Sequence, residues 1–368
     1  MKAILQVADT GPLESLVIML RSVGVECLLP STELKRELRA IGCDTVLDIA
    51  DLVRGWGYEP PIRLPEAGID DMRRDDIVYF DIKAHRNGPL VVKRWTKLKG
   101  KICWYRINGG KPEHVVNTRG DHGDEINPWC PILTPNLWYR EDGTEFLQAT
   151  QVGSRGSAAI MRMPGWVGKS YVCWPPFYRF DEYDHPRPHE ARGVGKYEYP
   201  LCLIHNLEGW GYRAIIDGVR KLGVMCHGAG SPDGLINHRE IKVRLTKAMA
   251  MVHLKSSDAP GYALYEALAA GCPIVCSRRL IWRNKMQELF VPGMTCLVFD
   301  RETHDGLNEK DVEDCLREIG EGLEALRDPS YNQKIGQAGK ERLRELMWSE
   351  SKAEDVGSLR DFMERNFK

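Results

Sequence analysis

Short apolar segments alternate along this chain with amphipathic segments of helical period, in two successive series. The apolar segments of the first series are AILQVA, VECLLP, DIVYFDI, KICWYRI, PILTP and YVCWP, and those of the second are PLCLIHN, VMCHG, MAMVHL, PIVCS and MTCLVF. The predicted helices are LESLVIMLRSVG, STELKRELRAIG, GYRAIIDGVRKLG, REIKVRLTKA, GYALYEALAAG and WRNKMQELFV, with long polar helices from Glu309 to Lys368. Strands that alternate with helices predict parallel sheets covered by helices, and therefore an α/β protein.

The two series are separated by FYRFDEYDHPRPHEARGVGKYEYP, a charged segment rich in Pro and Gly that has no hydrophobic period. Such a composition is typical of an interdomain linker, and 368 residues are enough for two domains. We predict two Rossmann-like domains joined by a linker, and a C-terminal helix that packs back on the N-terminal domain. The predicted bounds are 1–178 for the N-terminal domain, 179–199 for the linker, 200–345 for the C-terminal domain and 346–368 for the helix.

Composition excludes several classes of protein. The 51 basic and 52 acidic side chains give a net charge of −1, so the chain is not a uniformly basic nucleic-acid coat. No segment approaches the run of about 20 apolar residues that spans a membrane, and the first residues lack the pattern of a signal peptide. The 11 cysteines form no CxxC pair, which favours buried free thiols in a reducing compartment, and Cys272 and Cys276 are predicted core residues. We expect a cytoplasmic protein without an integral membrane segment.

The segment SSDAPGYALYEALAAGCPIVCSRR carries the clearest chemical signal. A predicted strand leads into an acidic loop with Asp258, and Glu266 follows about one turn inside a helix, so both carboxylates can face one pocket. Carboxylates accept hydrogen bonds from the vicinal hydroxyls of a ribose or a hexose, and the N–H groups at a helix start bind phosphate. Together these features predict a nucleotide-sugar site. The alternative is a capped helix, with Asp258 as the cap and Glu266 on a solvated face.

The same region resembles the C-terminal domain of retaining GT-B-fold glycosyltransferases of the family-four group, over residues 199–298. The resemblance is carried by Asp258, seven intervening residues, Glu266, then EALAAG, CPIVCS and ELFVPGMTCLVFD, with Asp258 where the family usually has Glu. It implies two Rossmann-like α/β/α domains that face each other across a cleft, the acceptor bound by the first and the nucleotide sugar by the second. It also implies that Asp258 and the N–H groups of Gly261 and Tyr262 hold the transferred sugar, while Glu266 holds the ribose.

In that family, basic residues after the first strand of the C-terminal domain neutralise the leaving diphosphate. In the corresponding segment here, LIHNLEGWGYRAI, His205 and Asn206 stand near the first basic position and Arg213 near the second. The resemblance therefore makes Arg213 the diphosphate clamp and, with Asp258, a candidate catalytic residue, and Lys255 is the alternative cation. For either cation the other interpretation is an exposed charge at the end of a helix or strand. Gly11, in a turn predicted over residues 9–12, is a further donor-binding candidate.

The implied reaction moves a hexose of glucose type from a nucleoside diphosphate sugar, with a UDP-sugar expected, to a hydroxyl group. Cations and helix N-termini can stabilise the leaving diphosphate without a metal ion. No DxD feature follows an apolar strand, because Asp70–Asp71 and Asp75–Asp76 are adjacent pairs predicted to lie in a solvated turn. We therefore predict no catalytic metal and no cofactor.

Two tracts of the predicted N-terminal domain, residues 83–111 and 146–180, contain no Asp or Glu and interleave Trp and Tyr with Lys and Arg. Such interleaving suits a phosphate backbone with stacked or extruded bases, and it also suits an anionic membrane or a lipid-phosphate acceptor. The other interpretation is a solvated basic face with buried Trp. The acceptor-binding candidates are Lys83, Arg86, Lys93, Arg94, Trp95, Lys97, Arg106, Arg155 and Trp166.

The C-terminal block also resembles glycosyltransferases encoded by tailed phages, which glycosylate hydroxymethylated bases in their DNA. This resemblance implies a DNA acceptor, such as 5-hydroxymethylcytosine, in the cytoplasm of a host cell. A cell-surface glycan or glycolipid acceptor is the alternative, and a non-catalytic sugar-nucleotide-binding protein is a third class. His85, after DIVYFDI, is the candidate catalytic residue on the acceptor side, with an ordinary surface histidine as its alternative.

Overall fold

The chain divides into two compact units. The structure, a computed structural model, describes residues 1–6, 10–40, 64–81, 101–105, 132–134, 170–172, 183, 197–206, 213–255, 262–283, 286–300 and 308–368. The first unit comprises residues 1–176 together with 348–368, and the second unit comprises residues 177–347.

The first unit contains a parallel sheet. Its strands are β1 (Lys2–Gln6), β2 (Glu26–Pro30), β3 (Glu66–Ala67), β4 (Ile77–Asp81), β5 (Lys101–Tyr105), β6 (Ile132–Thr134) and β7 (Ser170–Val172). They pair in the order β3-β2-β1-β4-β5-β6-β7. Helix α1 (Thr10–Ser22) follows β1, and helix α2 (Thr32–Ala40) follows β2. A short 3₁₀ turn (Asp71–Arg73) precedes β4. Arg73 pairs with Asp70 and Arg74 pairs with Asp76, and these four side chains are exposed, so the predicted solvated turn is confirmed.

The second unit contains another parallel sheet. Its strands are β8 (Leu201–Asn206), β9 (Met225–Ala229), β10 (Met251–His253), β11 (Ile274–Ser277) and β12 (Leu297–Phe299), in the order β12-β11-β10-β8-β9. Its helices are α3 (Arg213–Lys221), α4 (His238–Lys247), α5 (Tyr262–Ala269), α6 (Arg278–Arg283), α7 (Glu309–Ala325) and α8 (Pro329–Leu346). The predicted α/β class with parallel sheets is confirmed in both units.

The last helix returns to the first unit. Helix α9 (Ala353–Phe367) contacts α1 and β7, and it buries Leu359, Phe362, Met363 and Phe367. The first unit is therefore built from two separate stretches of chain.

Local sequence signals explain several of the helix boundaries. The Leu34 backbone N–H donates to Ser31 Oγ (3.2 Å), and the Glu240 backbone N–H donates to Asn237 Oδ1 (2.8 Å), so Ser31 and Asn237 are the N-caps of α2 and α4. Helices α3 and α5 are each followed two residues later by a glycine with positive φ, Gly223 (84°) and Gly271 (65°). The helices therefore end where the sequence predicts.

Two predicted boundaries are wrong. The turn expected over residues 9–12 is shorter, because α1 already begins at Thr10 and includes Gly11 and Pro12 in its first turn. Proline is tolerated there because the first N–H groups of a helix have no intrahelical acceptor. A helix is expected over WRNKMQELFV. The structure instead has α6, which begins directly after β11 and ends at Arg283, and turns from residue 286 to residue 290.

Helix α5 is held by a close contact with α8. A Cβ atom placed on Gly336 would lie 2.0 Å from the Gly271 carbonyl oxygen, and one placed on Gly339 would lie 2.8 Å from Leu268 Cδ2. The Asn332 side-chain amide on α8 donates to the carbonyl oxygens of Met249 (2.8 Å) and Leu326 (3.0 Å). Small residues and one buried amide thus fix α8 against the turn that follows α5.

The cysteines whose side chains the structure describes are free and buried: Cys27, Cys202, Cys226, Cys272, Cys276, Cys296 and Cys315. Burial raises the pKa of the Cys27 and Cys315 thiols to about 12, which keeps them protonated and unreactive at neutral pH. The prediction that Cys272 and Cys276 are core residues is confirmed.

Candidate active site

The sheet of the second unit contains a topological switch point between β8 and β10. These two strands are parallel neighbours, while the chain continues to β9 on one side and to β11 on the other. In open α/β sheets, ligands bind outside the carboxyl ends of the strands at such a point, where loops leave in opposite directions. The carboxyl ends of β8 and β10 are therefore the natural place for a ligand in this unit.

Several of the sequence-predicted donor residues lie at this edge. Asn206 is the last residue of β8, Arg213 is the first residue of α3, and Tyr262 is the first residue of α5. Lys255 follows β10 by two residues and is half-buried. The first N–H groups of a helix have no intrahelical partner and can bind an anion, so the role of the Tyr262 N–H stays a prediction.

Glu266 lies one turn inside α5 and is buried, with 6% of its surface exposed. The alternative of a solvated glutamate is therefore wrong. Burying a carboxylate costs free energy unless it is hydrogen-bonded or paired, and Glu266 does interact with polar or charged groups of the protein. Asp258 and Gly261, its predicted companions, lie outside the described residues.

His253, the last residue of β10, is a polar residue at this edge that the sequence reasoning missed. It is 3% exposed, and its Nε2 atom has no hydrogen-bond partner within the described part of the chain. Burial, and then the nearby Lys255 ammonium, lower the pKa of His253 to about 3, so the imidazole is neutral. The available signal was a single polar residue in the otherwise apolar segment MAMVHL.

A second buried histidine, His227, belongs to a structural network instead. Its Nδ1 lies 3.1 Å from the Asp233 carbonyl oxygen and its Nε2 lies 3.2 Å from Arg244 Nη1, which also donates to Tyr199 Oη at 2.6 Å. Because a carbonyl oxygen only accepts and a guanidinium only donates, Nδ1 carries the proton and Nε2 accepts. Arg244 also pairs with Glu240, so the network joins the segment before β8 to α4.

The first unit has its own switch point, between β1 and β4. Gly11 lies near it, in the first turn of the helix that follows β1. The acceptor-side candidates His85, Lys83, Arg86, Lys93, Arg94, Trp95, Lys97, Arg106, Arg155 and Trp166 lie outside the described residues. Their roles stay predictions.

The described residues contain no group of three His, Cys, Asp or Glu side chains arranged to hold a metal ion. None of the helices in this part of the chain is long and apolar enough to cross a membrane.

Part of the chain that includes this edge matches a known family model. Residues 213–355, from the start of α3 into α9, match the family model described as "Glycosyl transferase-like". This stretch contains β10, Lys255 and Glu266. A search of curated proteins finds no match to the sequence.

Solved structures with a similar fold align over the whole chain. A glycosyltransferase from Rickettsia africae ESF-5 is 10% identical, with a TM-score of 0.54, and the alignment covers 100% of this chain and 97% of that one. Sucrose-phosphate synthase from Thermosynechococcus elongatus is 12% identical (TM-score 0.55; 100% and 98% covered). The catalytic domain of starch synthase IV from Arabidopsis thaliana, bound to ADP and acarbose, is 10% identical (TM-score 0.56; 100% and 99% covered). The chain therefore has a GT-B-type fold, as predicted, and residues 213–355 match a glycosyltransferase-like family model.

Proposed function

We propose that this protein is a glycosyltransferase that moves a hexose from a nucleoside diphosphate sugar to a hydroxyl group. The observation that carries the proposal is the buried Glu266, one turn inside the helix that begins beside the switch point of the second unit. A carboxylate at that depth can accept hydrogen bonds from the two ribose hydroxyls of a nucleotide. The family match over the same residues supports this choice of site.

In the proposed reaction, the bond between the anomeric carbon and the diphosphate oxygen breaks, and the diphosphate leaves with the electron pair. The acceptor hydroxyl gives its proton to His85, the proposed acceptor-side catalytic residue, and forms the new bond to the anomeric carbon. Arg213, Lys255 and the N–H of Tyr262 stabilise the charge that develops on the diphosphate, and Asp258 holds the sugar. We propose a retaining reaction that needs no metal ion, since these cationic groups supply the charge that a metal would otherwise supply.

The proposed acceptor is a hydroxymethylated base in DNA, and a cell-surface glycan is the competing acceptor. The DNA proposal rests on the two acid-free tracts, residues 83–111 and 146–180, which combine basic side chains with aromatic ones. Basic side chains bind phosphates, and aromatic rings stack on bases taken out of the helix.

The donor site is tested by Glu266→Gln, with Glu324→Gln as the matched control on the exposed surface of the same unit. Losing a charged acceptor for the ribose hydroxyls costs about 1.5–3 kcal/mol, which weakens nucleotide-sugar binding roughly ten- to a hundredfold. Binding is measured by calorimetry and turnover by donor consumption. Wild-type affinity and turnover in Glu266→Gln would show that the nucleotide-sugar site is misplaced.

The acceptor is tested by incubating the enzyme with a panel of nucleotide sugars and DNA that contains 5-hydroxymethylcytosine or 5-hydroxymethyluracil, followed by mass analysis of the nucleosides.

DNA binding should weaken with salt at a slope of about −0.9 per phosphate contact. Replacing Lys93, Arg94 and Lys97 by Ala should make that slope shallower for every DNA sequence and leave donor binding unchanged. Folded, donor-hydrolysing enzyme that neither binds DNA at moderate salt nor glycosylates it would favour the glycan acceptor. Donor binding without hydrolysis or transfer would favour a binding protein.

A further inference from the structure

Three charged residues follow neighbouring strands in the sheet of the second unit, at the same level. Strands β10, β11 and β12 are in parallel register, with His253 paired to Cys276 and Cys276 paired to Val298. Two residues further along each strand stand Lys255, Arg278 and Asp300. Since neighbouring strands lie about 4.8 Å apart, these residues emerge at one level of the carboxyl edge. This edge also contains the switch point beside β10.

The Arg278 guanidinium is held in place by Asp300. Its Nε donates to Asp300 Oδ1 in an ion pair, and the Asp300 backbone N–H donates to Glu318 Oε2 at 2.7 Å. Both charged side chains reach solvent, with 46% and 63% of their surfaces exposed. A guanidinium has five N–H donors in a planar fork, so one bond through Nε does not exhaust them.

Two cations lie at the ends of β10 and β11. Lys255 and Arg278 carry positive charges at these neighbouring strand ends. Asp300 and Glu318 carry negative charges on the β12 side of Arg278. His253, beneath Lys255 on the same strand, adds none because burial keeps it neutral. A phosphate group at the ends of β10 and β11 would therefore lie beside two cations, on the side of Arg278 away from the two carboxylates.

We propose that Arg278, oriented by Asp300, is a second cationic residue of the diphosphate site and acts together with Lys255. The inference rests on the proposed function and extends it to residues after β11. As the anomeric bond breaks, the leaving diphosphate gains negative charge, and the planar guanidinium can bind two of its oxygens at once. Asp300 is a positioning residue, since it fixes the direction of the fork without contacting the substrate.

The binding test measures the affinity for UDP, ADP and inorganic pyrophosphate by calorimetry at several salt concentrations. The proteins compared are the wild type, Arg278→Gln and, as a matched control, Arg327→Gln, which removes another exposed arginine that is paired with an acid in the same unit. Arg278→Gln should bind the preferred nucleotide and pyrophosphate about tenfold or more weakly and with a shallower salt dependence, while Arg327→Gln should bind like the wild type. Arg278→Lys, which keeps the charge but not the fork, should fall between Arg278→Gln and the wild type.

The positioning role of Asp300 is tested by steady-state kinetics. Asp300→Asn should lower kcat more than it raises KM, because a misdirected guanidinium stabilises the leaving diphosphate less than the bound donor, and Asp300→Glu should restore part of the rate. Thermal melting of each variant should match that of the wild type within a few degrees, since an exposed ion pair contributes little to stability. Equal losses in Asp300→Asn and Asp300→Glu would overturn the positioning role.

The outcomes separate the inference from the function on which it rests. If the wild type binds a nucleoside diphosphate and folded Arg278→Gln and Arg278→Lys bind it equally well, the role of Arg278 is refuted and the proposed function stands. If the wild type binds neither nucleotide nor pyrophosphate, the proposed function fails and the inference fails with it.

Discussion

A single methyl group at position 336 tests how the helix that carries Glu266 is held in place. In Gly336→Ala, the new Cβ atom would lie 2.0 Å from the Gly271 carbonyl oxygen and 3.0 Å from the carbonyl carbon, against 3.4–4 Å for ordinary contact. The neighbour is backbone, so α8 has to move by more than 1 Å relative to the turn after α5.

The size of the effect follows from two opposing terms. Overpacking of this kind costs about 1–3 kcal/mol or more, and alanine regains about 1 kcal/mol of helix propensity. Because the clash is with backbone, we expect the upper end of the range and a net loss of about 2 kcal/mol. For a unit of this size, that loss lowers the melting temperature by roughly 4–8 °C. Urea unfolding and thermal melting followed by circular dichroism measure the change.

The matched control is Gly320→Ala in α7 of the same unit. There the nearest atom to an added Cβ is Leu222 Cδ2, at an ordinary 3.5 Å, so the alanine should stabilise the unit by about 0.5–1 kcal/mol. Gly336→Ala should also weaken nucleotide binding, because displacement of α8 disturbs the seat of α5. A Gly336→Ala protein as stable as Gly320→Ala would refute the close contact between α8 and the turn after α5.

The remaining predictions concern protonation and metal. His253 stays neutral in the folded protein down to about pH 3 but takes up a proton near pH 6.5 when unfolded, so the unfolded state binds more protons and stability falls as the pH falls. Between pH 7 and pH 5 the wild type should therefore lose about 2 kcal/mol more stability than His253→Leu, measured from urea midpoints, and equal losses would contradict a neutral buried imidazole. For metal, EDTA should leave the transfer rate unchanged, and a rate that collapses in chelator and returns with manganese would rule out the cationic mechanism.

Local signals made much of the fold predictable. Helix ends depend on residues that are close in sequence, so the sequence alone reveals them. Examples are the N-caps Ser31 and Asn237 and the glycines that follow helices, Gly223 and Gly271. The helix boundary after β11 was predicted wrongly. Met286 is apolar and stands at helical spacing, but it is buried among turns, and periodicity alone does not distinguish a helix from a buried turn.

The candidate site stays a prediction, and its environment could not be predicted. The spacing of the acidic loop and Glu266 suggests a site there, but the burial of that carboxylate depends on how α5 packs and was not readable from the sequence. The alignment of Lys255, Arg278 and Asp300 depends on strand register, which joins residues more than 20 positions apart. The role of Asp258 stays a prediction.

The discontinuity of the first unit has a consequence for biosynthesis. A ribosome releases the whole of residues 177–347 before it delivers α9, so the second unit can fold while the first still lacks the helix that buries Phe362, Met363 and Phe367. Until α9 is made, α1 and β7 lack the helix that contacts them in the folded unit. A premature stop near residue 347 would spare the second unit but leave the first unit without that helix.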